Sequence, residues 1–378
     1  MRVQQTVLGN TSQLTALPTD QQADLLLVFG DIAFFKHPGL ADTLRERYPN
    51  AALIGCSTAG EISAKGVDDG RCVLTAVDLE KTTLQTASTP LPRMEDSQSV
   101  GEQLARQLPV DKLRAVLVYG PGLNINGSAL VRGLSHVLGD DIPITGGLAG
   151  DGGAFAQTFT LGPNGVSDQT VVAVGLYGDQ LDFAHGSFGG WEPFGPARKV
   201  TRCEGNVLFE LDGEPALEVY RRYLGDYAKD LPASGLLFPF AMLGKNRDEN
   251  GLIRTILGID SDAGSLTLAG EIDPEGYLRL MHASTDRLVS GAEAAAELLL
   301  KNQGAPSASA LGILVSCVGR KLVMGERVEE EVEVVAERLG KQATLTGFYS
   351  YGEISPFVPE GACRLHNQTM TITRIQER

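Results

Sequence analysis

One short pattern, written twice, constrains this chain more than any other feature. Gly55-Cys56-Ser57-Thr58-Ala59-Gly60-Glu61-Ile62 returns near the far end as Gly347-Phe348-Tyr349-Ser350-Tyr351-Gly352-Glu353-Ile354. A looser copy, Ile144-Thr145-Gly146-Gly147-Leu148-Ala149-Gly150-Asp151, lies between them. Two glycines around small or hydroxyl-bearing residues describe a backbone that bends tightly or approaches something closely. A carboxylate then follows at the end of an apolar run.

The repeat is larger than the motif. Before each copy comes an apolar strand pattern and then an amphipathic helical one. The pairs are Asp24 to Gly30 with Pro38 to Tyr48, Ala115 to Gly120 with Ser128 to Leu138, and Leu311 to Arg320 with Arg327 to Leu339. This predicts a duplicated strand–helix–strand unit. The fold class expected is α/β: two related domains, residues 22–212 and 213–378, with mixed or antiparallel sheets flanked by helices and the glycine–acid turns at a shared interface. Residues 1–22 read as a polar lead-in, and Gly304 to Ser309 as a short linker into the third unit. In the third helix, Val328, Val332, Val335 and Leu339 share one face. Glu329, Glu330 and Glu331 read as a solvated acidic face at the positive end of its dipole.

At 378 residues the chain is long enough for two cores. Its net charge of −15 argues against nucleic acid and anionic membrane surfaces as partners. No apolar stretch has a bilayer-spanning length, and the first residues lack a signal-peptide pattern. Five widely spaced cysteines, with no Cys-x-x-Cys pair, read as reduced thiols. A cytoplasmic location is expected. Gly55 to Gly60 is not a nucleophile elbow, and neither a phosphate-binding loop nor a His-Glu-x-x-His helix occurs. The expectation is therefore a protein that is not an enzyme, with a thiol-dependent enzyme acting through Cys317 as an alternative.

Several motifs together resemble the FIST proteins. Besides the two full repeats they are Gly189-Gly190-Trp191-Glu192-Pro193-Phe194-Gly195, Leu211-Asp212-Gly213, Ser316-Cys317-Val318-Gly319-Arg320 and Leu365-His366-Asn367-Gln368-Thr369-Met370-Thr371. The resemblance spans about residues 22 to 375 and implies a FIST N domain followed by a FIST C domain. It implies an intracellular sensory protein that binds a small ligand, an amino acid having been suggested for the family. Some members resemble haem-binding nitric oxide sensors that act on a histidine kinase or a cyclic-di-GMP enzyme. Output from this chain is expected to pass through such a separate partner.

The ligand-binding candidates are Glu61, Asp151, Arg320, Glu353, Cys317, Trp191 and Tyr351. Glu61, Asp151 and Glu353 either converge on one cleft, where a carboxylate holds an ammonium group, or cap their turns structurally. Arg320 suits a ligand carboxylate or pairs with Glu353. Cys317 and Cys56 read first as small buried strand residues. Haem needs an axial ligand in an apolar pocket. His366, in a polar strand ladder, and His185, before the Gly/aromatic segment, are the candidates should haem bind.

Overall fold

Strand alternation builds the centre of the molecule, because successive side chains of a strand point to opposite faces. In Leu25–Gly30, Leu25, Leu27 and Phe29 point one way, and Leu26 and Val28 the other. The first set joins Ala115, Leu117 and Tyr119 of Leu113–Gly120 and Leu311, Ile313 and Val315 of Ala310–Cys317 in one shared core. The second set packs under the helix Leu40–Arg47. The other two strands repeat this, turning Val116 and Val118 toward Gly127–Leu138 and Leu314 toward Glu329–Leu339. Phe29, Tyr119 and Phe348 meet at the middle, with ring centroids 4.8 to 5.9 Å apart.

A computed structural model describes residues 1–304, 309–357 and 361–378. Most of the expected linker, residues 305–308, lies outside the described residues. Among the described residues the strands form three six-stranded sheets and one nine-stranded sheet. The α/β class, with mixed and antiparallel sheets flanked by helices, is as the sequence predicts. Each six-stranded sheet is built alike: an antiparallel edge pair, then the two parallel strands of one unit, then a short hairpin supplied by another unit. Glu61–Ser63 of the first unit pairs with Ala343–Ser350 of the third. Gly352–Pro356 of the third pairs with Ile144–Leu148 of the second, and Thr160–Gly162 of the second pairs with Ala52–Ser57 of the first. The exchange is cyclic, so the units surround a pseudo-threefold axis. Two of these sheets take strands from both sides of position 213.

The reading of residues 1–22 as a polar lead-in is corrected here. The polar lead-in contains the strand Arg2–Leu8, which pairs along its whole length with Cys72–Asp78. It is an edge strand with an alternately exposed face, so no apolar run marks it. The region from Glu192 to His282 forms the nine-stranded antiparallel sheet, closed by helix Ala216–Leu224 around its own core. This sheet is inserted in the third unit between Leu181–Phe188 and Thr285–Gln303.

Candidate ligand cleft

The three glycine turns do converge. Ala59 N–H donates to the Tyr349 carbonyl at 2.8 Å, Gly150 to Ser57 at 2.8 Å and Tyr351 to Leu148 at 3.1 Å, closing a ring around the axis. The acids of these turns do not converge. Glu61 lies opposite Phe348 and Glu353 opposite Gly147. The corresponding position in the second unit lies opposite Cys56, and its occupant is Thr160. Asp151 is thus not the counterpart of the two glutamates; a longer turn in the second unit displaces the equivalent strand.

Glu61 and Glu353 are buried ties. One oxygen of each accepts from a hydroxyl three residues earlier, Thr58 or Ser350. The other accepts from the backbone N–H that leads into the next long strand, Arg71 at 2.8 Å or Thr369 at 3.1 Å. Burial pushes Glu61 up to about 7 and Glu353 up to about 8, against the hydrogen bonds each accepts. A carboxyl whose folded pKa lies above its ordinary value keeps its proton in the folded chain after the unfolded chain has released it. Stability is therefore lost as pH rises from about 4.5 through about 8. Between pH 6 and pH 9 the unfolding free energy from urea titration is expected to fall by an amount on the order of 2 kcal/mol. Glu353→Gln should flatten that fall, and an equal slope in the variant would contradict the assignment.

Asp151 and Tyr351 belong together. The Tyr351 hydroxyl donates to Asp151 Oδ1, which also accepts from Phe155 N–H at 2.9 Å. Oδ2 accepts from Ala156 at 2.7 Å and Gln157 at 2.9 Å. Burial alone would raise this carboxyl; the bonds from Tyr351, Gln157, Ala156 and Phe155 outweigh it and hold Asp151 below its ordinary value. The bonds fold residues 151–157 into a fixed loop and set Phe155 at φ 52°, a conformation bulky side chains rarely adopt. The Phe155 ring stacks on Tyr351 at 4.3 Å and 13°. Its other face lines a cleft of about 630 Å³ against the inserted sheet.

That cleft is apolar. Phe155, Tyr227, Leu257 and Leu322 line it, four of the eight exposed large hydrophobic side chains among the described residues. Leu236 and Leu237, on a short 3-10 helix, form its floor with Ile256. Sequence reading found Asp151 and Tyr351 but missed the wall they support. Leu257 and Leu322 look like ordinary strand and helix residues until the inserted sheet folds against the loop.

The remaining candidates lie elsewhere. Arg320 is fully buried and its ion-pair partner is not Glu353. It pairs with Glu331 at 2.7 Å and donates to the carbonyls of Gly189 and Leu288. Glu331 is correspondingly not solvated; its other oxygen accepts from Ser316 at 2.9 Å and Tyr349 at 2.8 Å. The helix turns Glu331 to the same side as Val332 and Val335, into the core. Cys317 is 3% exposed, and burial raises its thiol, so the nucleophilic thiolate is disfavoured. Burial raises Cys56 in the same way. Trp191 donates its indole N–H to the Gln368 carbonyl at 2.8 Å and lines a separate cavity of about 360 Å³.

The histidines do not fit a haem ligand as placed. The ladder expected around His366 is two strands of different sheets, Cys363–His366 and Met370–Glu377, joined by a turn. His366 is fully buried, Nε2 meets the Ser355 carbonyl at 2.9 Å, and burial pushes the ring down to about 4. His185 stands within Leu181–Phe188, paired with Thr373. Neither lines any of the cavities described for this fold. Among the described residues no cluster of His, Cys, Asp or Glu is arranged to hold a metal ion, and no helix is long and apolar enough to cross a membrane.

A FIST N domain model matches residues 24–214 and a FIST C domain model residues 216–356. An uncharacterised protein of Methanocaldococcus jannaschii is 30% identical over 205 residues, covering 50% of this chain and 38% of that protein. An uncharacterised protein of Mycobacterium tuberculosis is 28% identical over 219 residues, 54% of this chain and 55% of its own. This chain therefore spans about half, or less, of the length of these curated relatives. Among solved structures, a cyanuric acid hydrolase from A. caulinodans aligns over 100% of this chain and 99% of its own, at 9% identity and a TM-score of 0.40. A second cyanuric acid hydrolase covers 100% of both chains at 12% identity and a TM-score of 0.34. Both of these neighbours are named as enzymes, and the expectation that this chain is not an enzyme is withdrawn. At such identity and TM-score the likeness carries no reaction, substrate or residue over to this chain.

Proposed function

This chain belongs to the FIST family of sensory, signal-transduction domains, and from that premise we propose that it senses a small apolar or aromatic molecule held in the cleft beside Phe155. The single observation that carries this reading is the gathering of exposed Phe155, Tyr227, Leu257 and Leu322 around one cavity of about 630 Å³. Grouped exposed apolar side chains mark binding sites, whereas scattered ones need no explanation. The strained Phe155, held by Asp151 and stacked on Tyr351, serves as a preformed aromatic platform.

Binding bridges the inserted sheet and the pseudo-threefold corner, because the cleft has one wall on each. A ligand that touches both walls favours the arrangement that brings them together and shifts the population toward it. The loop that carries Phe155 also carries Ala156, Gln157 and Thr158, which line a polar cavity of about 680 Å³ on its far side with Lys36, Arg93 and Asp168. Movement at Phe155 is thereby transmitted to a second surface, where a separate partner protein reads it.

The test is titration of the full chain with 8-anilinonaphthalene-1-sulfonate. Saturable binding is expected at one site, weakened about tenfold or more by Leu257→Asp. Leu257 is 47% exposed, so its thermal midpoint should stay within about 2 °C of the parent. Unchanged probe binding in Leu257→Asp and in Phe155→Ala would remove the cleft as the ligand site.

A further inference from the structure

Arg254 is the last residue of the strand Glu249–Arg254 in the inserted sheet, and it is 4% exposed. Its guanidinium lies over Gly270, where a Cβ would stand 2.7 Å from Nε and 2.9 Å from Cζ. Nε donates to the Glu271 carbonyl at 3.3 Å, and Nη1 to those of Ile253 and Leu365 at 3.2 Å each. Among the described residues no carboxylate lies within 4.0 Å of this group, and Nη2 meets no acceptor. The nearby Glu271 carboxylate is already held by Arg132 at 2.9 Å and Asn126 at 3.1 Å. Burial, partly offset by Glu271 and reinforced by Arg364, brings Arg254 down to about 10, so it remains a cation at neutral pH. A buried cation hydrogen-bonded only to carbonyls, its nearest carboxylate engaged by another arginine, is costly, and such groups are ordinarily paired with an anion.

Arg254 lines a cavity of about 490 Å³ between helix Gly127–Leu138 and the inserted sheet, a volume suited to a small ligand. Val131, Leu252, Ile272 and Leu365 supply apolar walls, and Ser128 Oγ, buried without a partner among the described residues, lies in the same lining. The geometry points to this cavity as a binding site for an organic monocarboxylate, its carboxylate on Nη2 of Arg254 and its apolar chain against Val131, Leu252 and Ile272. Asp140, Glu271 and Asp273 also line the cavity, with Arg132, which holds Glu271, and Arg364 among them. One carboxylate answers Arg254, and an inorganic anion has no chain to set against Val131, Leu252 and Ile272. The site is separate from the cleft beside Phe155 and does not depend on that reading.

Calorimetric titration of the full chain with hexanoate, hexanamide and inorganic phosphate tests the assignment. Hexanoate is expected to bind, the uncharged amide about tenfold or more weakly, and phosphate not at all. Arg254→Met should abolish hexanoate binding. Since that variant empties a buried position, Ser135→Trp provides a second measurement. Ser135 is a half-buried lining residue on the helix, and a bulky side chain there should weaken hexanoate about tenfold while the chain stays folded. Equal affinity for hexanoate and hexanamide, binding of phosphate instead, no hexanoate binding, or unchanged affinity in Ser135→Trp would each overturn the site.

Discussion

Gly146→Ala is expected to leave little folded protein, at a cost of about 4 kcal/mol or more. A Cβ at Gly146 would overlap the Val118 carbonyl oxygen and stand 2.9 Å from its carbon, and the residue sits at φ 142°. The strand Leu113–Gly120 cannot retreat, because it is paired on both sides and its inner face is packed into the shared core. Gly55 and Gly347 hold the same position against Val28 and Leu314. The informative control is Gly139→Ala. Gly139 has φ 82° with nothing within 4 Å of its Cβ position, so it reports backbone strain alone, about 1 kcal/mol. Urea denaturation of both variants decides the matter. Similar midpoints would mean that close approach of the paired strands is not what the repeated glycine provides. Against a total stability of about 5–15 kcal/mol, the expected difference separates a folded chain from one that collects as insoluble protein.

Glu331→Ala is expected to cost about 3–5 kcal/mol, well beyond the ~1 kcal/mol of an exposed ion pair. Both partners of the Arg320–Glu331 pair are fully buried, and the carboxylate accepts four hydrogen bonds, from Ser316, Tyr349 and two from Arg320. Arg320 in turn holds the carbonyls of Gly189 and Leu288, tying the Gly/aromatic segment and the helix Thr285–Gln303 to the third unit. Removing the carboxylate strands a guanidinium in the core and releases two hydroxyls from their acceptor. Arg320→Met combined with Glu331→Leu should recover a large part of the loss, because the stranded charge rather than the missing pair accounts for most of it. A single-variant cost near 1 kcal/mol would show that this network does not hold the unit together, and no recovery in the double variant would show that the missing pair, not the stranded charge, accounts for the loss.

The repeat was legible because its cause is local. A glycine required by a strand 4.8 Å or so away appears in the chain as an unsubstituted position, and apolar alternation appears as Leu25-Leu26-Leu27-Val28-Phe29. The helices Gly127–Leu138 and Glu329–Leu339 were placed almost to the residue, since their apolar faces recur with helical spacing. Equivalence between the acids was not legible. Glu61 and Glu353 match in sequence and in register, but Asp151 mimics them only in the string of letters; pairing with Ala52–Ser57 assigns Thr160 to that place. Glu331 shows the same limit. It follows two other glutamates, Glu329 and Glu330, and only the sheet packed beneath its helix distinguishes the one that faces Arg320 from the two that face water.

The chain by itself determined the α/β class, the threefold strand–helix–strand repeat and the glycine corners, because each depends on spacing and on side-chain size within a few residues. Tertiary structure alone decided that the units exchange hairpins in a ring, that Arg320 finds Glu331, and that Phe155, Tyr227, Leu257 and Leu322 share one cleft. Those outcomes join residues far apart in the chain. They turn on which surfaces remain after the local elements have packed, and local spacing carries no record of that choice.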